Sequence, residues 1–301
     1  MTQPLTDPFL PVNSADNPEP PHRPRRLSVR SFGMTDRGLV RETNEDQFLI
    51  ADLTKALEIQ QSSLPHARTR HADEKGRIFL VADGVGGSVA GEQASALALK
   101  SIEEFLVNTL RWSFQLKGPD TENVVAEFQD ALRRADARIF GEVAQHPEHE
   151  GMGTTLTLAY SLGENLFVAN AGDSRCYLFR QGELTQLTRD HTLAEDMARV
   201  GFVRHSENGH LFRRNVITNA IGGPTPGVWT EVHKATIEPD DILLLATDGL
   251  TNYVRDEQIA ATLAAEADPK VACRRLVAQA LERGGGDNVT VIVARYETIT
   301  G

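Results

Sequence analysis

A short apolar run near the C-terminal end constrains the fold more than any other feature of the chain. Residues Ile242 to Leu245 are continuously aliphatic, whereas a strand in a sheet with one solvated face would alternate between apolar and polar residues. Both faces of this strand should therefore be covered. The run extends only to Ala246, and a helix that spans a membrane needs roughly 20 apolar residues, so no transmembrane helix is predicted.

The order of predicted strands and helices indicates the fold class. Two helices are predicted where apolar residues recur every three or four positions, at 94–110 and 125–143, and two more are predicted near 256–267 and 269–283. Strands are predicted at 28–32, 46–50, 77–82, 154–160, 165–171, 175–179, 216–220, 229–237, 242–247 and 289–296. Groups of strands flanked by pairs of helices favour an α+β fold with largely antiparallel sheets over regular β-α-β alternation.

Three segments lack the composition of packed structure. Residues 1–26 contain seven of the fourteen prolines and few large apolar side chains, and they are predicted to form a disordered tail. One domain is expected over 27–298. Within it, the polar residues 54–75 are predicted to be an exposed insertion, and the polar residues 193–215 are a candidate flap that selects substrates.

Charge and cysteine content argue against several classes of protein. The net charge of −11 repels nucleic acid and anionic lipid. The two cysteines, Cys176 and Cys273, have no CxxC spacing, so neither a disulfide framework nor a thiolate zinc site is indicated. The N-terminus shows no signal-peptide pattern, and a cytoplasmic protein is expected.

Five segments place an aspartate within two residues of Gly or Asn at a predicted strand end. These segments are Asn44-Glu45-Asp46, Asp83-Gly84, Gly172-Asp173, Asp248-Gly249 and Asp287-Asn288. A single Asp-Gly pair usually marks a turn, because Asp caps its own backbone and Gly accepts a positive φ. Five such pairs after apolar strands are harder to explain as turns alone, and they can converge at one end of the sheets.

Converging carboxylates raise one another's pKa unless cations hold them together. Oxygen ligands without His or Cys favour Mg²⁺ or Mn²⁺ over zinc. Two such ions can activate a water and hold a phosphoryl group for displacement. The pattern therefore indicates a hard-metal site.

The same segments belong to eight motifs that occur in order over residues 28–296. The motifs are Gly38 to Asp46, Val81 to Gly87 with Gly91-Glu92, Gly151 to Thr155, Ala171 to Arg175, Thr188 to Thr192, Asn215 to Gly222, Ala246 to Leu250 and Gly286 to Thr290. In this order they resemble the metal-dependent PPM (type 2C) protein phosphatases, particularly the bacterial branch. The resemblance implies a four-layer α-β-β-α sandwich of two antiparallel sheets flanked by helices, and hydrolysis of phosphoserine and phosphothreonine in proteins.

The resemblance also implies a set of metal ligands. Asp83, Asp248 and Asp287 would hold one Mn²⁺ or Mg²⁺ ion, and Asp83 with the Gly84 carbonyl would hold the other. Glu45 and Asp46 would act on the second ion and its waters. Asp173 would help to form a third, weaker site with Asp248.

Two further positions follow from the resemblance. Arg41 would grip the substrate phosphate, a task suited to a planar bidentate donor, and would count with Asp83 and Asp248 as catalytic, while Asn288 would support the site. Some family members have His after the Asp-Gly pair as a proposed general acid. This chain has Val85 there, which cannot donate a proton, so no general acid is assigned.

Two other functions remain open at this point. A phosphoprotein-binding regulator without catalysis is one, although retention of Asp83, Asp248 and Asp287 argues against it. A two-metal phosphodiesterase is the other, and the net charge opposes its nucleic-acid version. The expected partners are phosphoproteins made by a Ser/Thr kinase, with no nucleic acid and no membrane, and the protein is expected to be a monomer.

Overall fold

The computed structural model describes residues 27–54, 56–57, 70–71, 75–86, 88–108, 121–201 and 216–298. The tail predicted over 1–26, most of the insertion predicted over 54–75, and residues 202–215 of the candidate flap lie outside these residues.

The described residues form fifteen strands and six α-helices. The strands are β1 (Leu27–Asp36), β2 (Gln47–Leu53), β3 (Ala56–Leu57), β4 (Arg70–His71), β5 (Gly76–Ala82), β6 (Gly84–Val85), β7 (Gly153–Thr154), β8 (Leu156–Leu162), β9 (Asn165–Ala171), β10 (Arg175–Arg180), β11 (Glu183–Gln186), β12 (Ile221–Gly222), β13 (Glu231–Thr236), β14 (Ile242–Ala246) and β15 (Val289–Thr298). The helices are α1 (Ser88–Asn108), α2 (Thr121–Gln145), α3 (Leu193–Arg199), α4 (Asp248–Thr251), α5 (Asp256–Ala265) and α6 (Pro269–Glu282).

Two five-stranded antiparallel sheets carry the architecture. One has the strand order β1-β15-β14-β10-β11, and the other has the order β13-β9-β8-β5-β2. A small sheet of β12, β7 and β6 and a two-stranded pair of β3 and β4 accompany them. The prediction of an α+β fold with antiparallel sheets is confirmed.

The strand at Ile242 is covered on both faces, as predicted. Leu243 and Leu245 of β14 lie in the core between the two sheets. Ile242 and Leu244 point the other way and pack with residues of α5 and α6, among them Leu276. The two-residue period of a strand sends alternate side chains to opposite faces, so a run that is apolar at every position needs a partner layer on each side.

The second sheet is covered in the same way. Phe79 and Val81 of β5 enter the core between the sheets, and Leu80 packs outward against α1 and α2, where Ile102 and Phe128 lie. The layers are therefore helices, sheet, sheet and helices, which confirms the four-layer sandwich. Among the helices that the structure describes, none combines the length and apolar character that crossing a membrane requires.

The strand predicted over 216–220 is wrong. Only Ile217 takes part in pairing, in a single bridge to Thr192, and the ladder with β7 begins later, at Ile221. The Asn219 side chain binds the backbone of Trp229 through both its oxygen (3.1 Å) and its nitrogen (2.8 Å). These two bonds tie the segment to the chain ten residues further on, just before β13, and leave it outside the strand ladders.

Within the candidate flap at 193–215, residues 193–199 form the helix α3, which was not among the predicted helices. Thr192 caps this helix, with its hydroxyl accepting from the backbone N–H of Glu195 (3.3 Å). Glu195 and Asp196 in the first turn suit the positive end of the helix dipole. These start signals are present in the sequence but are short and easily taken for polar loop.

Candidate metal centre

The predicted acidic residues lie at one end of the two sheets. Glu45 and Asp46 precede β2, Asp83 follows β5, Asp173 follows β9, Asp248 begins α4 at the end of β14, and Asp287 precedes β15. We call these six residues the acidic cluster. Because neighbouring strands are antiparallel, the start of one lies beside the end of the next, and strand starts and strand ends can supply ligands at the same edge.

Strand register brings members of the acidic cluster together in pairs. Gln47 of β2 is paired with Ala82 of β5, so Asp46 and Asp83 both lie one residue beyond this pair. In the other sheet, Arg175 is paired with Ala246, which places Asp173 and Asp248 each two residues beyond their strand ends on the same side.

Asp83 interacts electrostatically with four other members of the acidic cluster. Burial raises the pKa of its carboxyl well above the ordinary value, and the neighbouring charges of Asp46, Asp248, Asp173 and Asp287 raise it further. A cation placed among these carboxyls would offset their mutual repulsion and keep them ionised.

Burial and neighbouring negative charges also raise the pKa values of Asp248 and Asp46. Burial raises the pKa of Asp248, and the charge of Asp287 adds to the effect. Burial also raises the pKa of Asp46 to about 7, although the hydroxyl of Thr247 donates to its Oδ2 (2.8 Å). Keeping these carboxylates ionised near neutral pH therefore requires positive charge beside them.

Three carboxylate oxygens of the acidic cluster are buried without a hydrogen-bond donor. They are Oδ1 of Asp46, Oδ1 of Asp173 and Oδ1 of Asp248. An unpaired buried oxygen costs free energy, and an ionised one costs more. These orphaned oxygens fit the donor set that hard cations such as Mg²⁺ and Mn²⁺ bind.

The described carboxylates lie at the same edge of the sheets, but their oxygens do not surround a common point that a metal ion could occupy. Within the described ranges, no group of three His, Cys, Asp or Glu side chains is arranged so that it could hold a metal ion as it stands. Existing partners hold several of the side chains instead, since Asn252 donates to Asp248 (2.9 Å) and Arg41 donates to Asp287 (2.8 Å). Cation binding would therefore involve turning carboxylates towards a common point.

Asp173 lies at the margin of the acidic cluster. Burial raises its pKa to about 7, with a smaller contribution from Asp248. The backbone before it is fixed by a reciprocal pair of bonds, in which His191 N–H donates to the Gly172 carbonyl (3.0 Å) and Gly172 N–H donates to His191 Nδ1 (3.1 Å). Burial lowers the pKa of His191 to about 4, so the ring is neutral and Nδ1 is free to accept.

Asn288 holds the two segments that flank the centre. Its side-chain oxygen accepts from the backbone N–H of Glu45 (2.8 Å), and its amide nitrogen donates to the carbonyls of Arg37 (2.8 Å) and Thr43 (2.9 Å). Asn288 thus fixes the loop that carries Arg41 and Glu45 against the start of β15.

Arg41 lies beside the carboxylates with its side chain still 52% exposed. Its Nη2 donates to Asp287 Oδ2 (2.8 Å), and this hydrogen bond raises the pKa of the guanidinium. The charges of Glu45 and Asp83 also act on it. An arginine at this edge can still present its free N–H groups to an incoming anion.

Val85 follows Gly84 and is exposed. Its apolar side chain adds no donor to the centre, as the sequence indicates. The backbone at Gly84 is close to α1. A Cβ added to Gly84 would collide with the carbonyl of Gly91 in that helix. A Cβ on Gly91 would in turn collide with the Glu45 carboxylate, so both glycines make room for the site.

Sequence reasoning missed several residues that bind side chains or backbone of the acidic cluster. Thr247 binds Asp46, and Asn252 binds Asp248. Thr155 accepts at its hydroxyl from the backbone N–H of Asp83 (3.0 Å). Asn252 was detectable, since it is four residues after Asp248 at helical spacing, whereas the other two contacts depend on tertiary packing.

Comparison with known proteins agrees with the fold and the motifs. The sequence model of the family described as Protein phosphatase 2C matches residues 46–198 and 224–289. The serine/threonine protein phosphatase PstP of Mycobacterium tuberculosis is 33% identical over 273 residues, which cover 89% of this chain and 45% of PstP. The serine/threonine phosphatase stp of Listeria monocytogenes is 29% identical over 267 residues, which cover 87% of this chain and 94% of that protein. The chain thus spans about half the length of the mycobacterial relative.

Solved structures of bacterial phosphatases show the same architecture. The crystal structure of the M. tuberculosis phosphatase PstP matches with a TM-score of 0.71 at 32% identity, covering 89% of this chain and 99% of that chain. The catalytic domain of PstP in complex with two manganese ions matches with a TM-score of 0.69 at 32% identity, covering 90% of this chain and 100% of that chain.

Proposed function

The chain belongs to the protein phosphatase 2C family, and from this membership we propose that it hydrolyses phosphoserine and phosphothreonine in proteins with two bound Mn²⁺ or Mg²⁺ ions. The observation that carries the proposal is the set of orphaned carboxylate oxygens at Asp46, Asp173 and Asp248. They need positive charge, and Arg41 beside them is exposed enough to meet a phosphate.

The proposed ligand roles follow the order of the motifs. One ion would be held by Asp83, Asp248 and Asp287, the other by Asp83 and the Gly84 carbonyl with Glu45 and Asp46 acting on it and its waters, and a third, weaker one by Asp173 with Asp248. When bound, the two central ions would supply the positive charge that polarises the phosphoryl group and lowers the pKa of the attacking water. A site with fewer protein carboxylates binds hard cations more weakly, which supports a loosely held third ion.

Arg41 would bind and orient the substrate phosphate. A guanidinium offers two parallel N–H donors to phosphate oxygens. Its bond to Asp287 and the anchoring of its loop by Asn288 would hold it in place before substrate arrives. Val85 cannot protonate the departing alkoxide, so we assign no side chain as general acid.

The proposal includes the setting in which the enzyme works. Its substrates would be products of a Ser/Thr kinase, and it would act as a cytoplasmic monomer without nucleic acid or membrane partners. Residues 193–215, which contain α3, would select among substrates. A non-catalytic regulator would bind phosphopeptides without turnover, and a phosphodiesterase would prefer diesters, so one assay separates all three functions.

The test measures phosphate release from phosphothreonine and phosphotyrosine peptides and from a nucleotide diester, with Mn²⁺, Mg²⁺ or EDTA. We expect turnover of the phosphothreonine peptide with either ion and none in EDTA. Asp83→Asn and Asp248→Asn should lose about 100-fold or more, because each removes an anionic ligand from the centre.

Asp130→Asn is the matched control for these variants. Asp130 is an exposed carboxylate on α2 that pairs with Arg134 (2.7 Å), and its loss should leave activity unchanged. Full activity in EDTA, or preference for the diester, would reject the proposed function.

A further inference from the structure

Two large aliphatic side chains stand exposed next to the proposed phosphate contact. Leu39 is 66% exposed and Val40 is 69% exposed, and Arg41 follows Val40 directly in the chain. These are the two most exposed large hydrophobic residues in the part of the chain that the structure describes. Adjacent apolar groups left in water beside a binding residue often mark an interaction surface.

The loop that carries Leu39 and Val40 is braced at its base. Gly38 N–H donates to Asp36 Oδ1 (2.8 Å), Leu39 N–H donates to the Gly285 carbonyl (2.7 Å), and Arg37 Nη1 donates to the Glu42 carbonyl (3.2 Å). The two bonds from Asn288 described above hold the same loop. The exposed tip is therefore presented on a fixed backbone.

Glycines determine how closely this loop approaches the start of β15. Gly38 has φ +79°, and a Cβ there would collide with the carbonyl of Asp287. Leu39 lies against Gly285, where a Cβ would come within 3.1 Å of the leucine Cγ. One edge of Leu39 thus lies beside Gly285 and Leu281, and most of the side chain faces solvent together with Val40.

We propose that Leu39 and Val40 form a subsite for an aliphatic or aromatic side chain of the substrate, next to the phosphorylated residue. The inference rests on the proposed function and specifies its substrate class. Consecutive Cα atoms are about 3.8 Å apart, so a peptide whose phosphate is bound by Arg41 brings its neighbouring residues within reach of Val40. Because the base of the loop is fixed, little conformational entropy is lost when the tip is covered.

Charge favours an apolar occupant over an acidic one. Glu42 is exposed on the other side of Arg41, and its carboxylate would repel an additional carboxylate in the peptide. Burying one methylene contributes about a fourfold change in an equilibrium constant. On a surface that remains partly open, we expect a preference of about threefold to tenfold.

The experiment compares kcat/KM for phosphothreonine peptides that have Leu or the isosteric Asn immediately before or immediately after the phosphorylated residue. The full chain is assayed with Mn²⁺, as wild type and as the Leu39→Gln/Val40→Thr double variant. Val271→Thr is the matched control. Val271 is also exposed (41%) but lies in the first turn of α6, about 15 Å along that helix from Leu281 near Gly285.

The wild type should prefer Leu over Asn in at least one position by about threefold to tenfold. The double variant should lose that preference while keeping its kcat/KM for the Asn peptide and its inhibition by inorganic phosphate. Val271→Thr should behave as wild type. A wild type without preference, or a variant that keeps it, would overturn the subsite.

Two other outcomes would also overturn it. A concentration-dependent dimer in sedimentation equilibrium that the double variant abolishes would assign the tip to a second copy of the chain. Absence of turnover with every peptide would reject the proposed function itself, whereas turnover without side-chain preference would reject only the subsite.

Discussion

At the scale of single residues, the phosphate-binding role proposed for Arg41 can be tested by mutation, because the chain contains a second arginine of equal exposure that serves as a control. Arg41→Ala removes a phosphate contact and leaves the carboxylates in place, so kcat/KM for a phosphopeptide should fall about tenfold or more, as expected for a charge-assisted hydrogen bond. Metal content, measured on the purified protein, should be unchanged. Arg30→Ala is the control, since both arginine side chains are 52% exposed and each pairs with one carboxylate. Unchanged KM and kcat in Arg41→Ala would refute the role.

At the scale of elements, the segment between α3 and β12 is the candidate for substrate selection. Its C-terminal end is held to the residues just before α3 by the bridge from Thr192 to Ile217 and by the bond from Thr218 N–H to the His191 carbonyl (2.8 Å). Irregular segments on a fixed scaffold commonly carry recognition. Replacing 202–215 with a Gly/Ser linker of equal length should therefore alter the ranking of phosphopeptides by about threefold or more, with a smaller effect on an aryl phosphate.

Replacement of the segment between β3 and β4 serves as the control for the replacement of 202–215. Replacing 58–69 in the same way should leave both substrates unaffected, because Leu57 and Arg70 close a separate two-stranded sheet. If the 202–215 exchange lowered peptide and aryl phosphate hydrolysis equally, a role in recognition would be excluded.

At the scale of the whole molecule, the acidic cluster couples stability to pH and to cations. Asp46 and Asp173 have pKa values of about 7 in the folded protein against an ordinary 3.8, so the folded state binds more protons between those values and stability falls as pH rises through this window. The pKa of His191 is lowered to about 4, which by itself makes stability rise with pH. This single group is outweighed by the several carboxyls whose pKa values are raised. In EDTA, lowering the pH from 7.5 to 5.5 should raise Tm by about 5 °C.

Measurements with Mn²⁺ and with the isosteric variant Asp46→Asn distinguish the effect of the acidic cluster on Tm from general charge repulsion. Saturating Mn²⁺ should raise Tm more at pH 7.5 than at pH 5.5, because bound carboxylates must be deprotonated. Asp46→Asn should raise Tm in EDTA at pH 7.5 and flatten the pH dependence, and Asp130→Asn should do neither. A Tm in EDTA that increases between pH 5.5 and 7.5 would contradict the electrostatic account.

Local sequence patterns by themselves predicted that the strand at Ile242 is covered on both faces and that acidic residues lie at strand ends, while the four-layer order and the ligand set were implied by the resemblance to type 2C phosphatases. The unbroken aliphatic run at Ile242 requires a covering layer on each face, since strand side chains alternate, and the Asp-Gly and Asp-Asn segments mark strand ends through local turn chemistry. Both signals arise from neighbours in the chain. They can therefore be recognised without knowing what packs against them.

Tertiary structure alone decided which side chains hold those carboxylates and what remains exposed around them. The bond from Thr247 to Asp46 joins residues 201 positions apart, and Asn288 reaches a loop more than 240 residues away. The bracing of Asn219 on Trp229 overrode the strand predicted at 216–220. The exposure of Leu39 and Val40 likewise depends on where the start of β15 meets their loop. Such contacts depend on the register of the sheets and on their packing, and no local pattern specifies either.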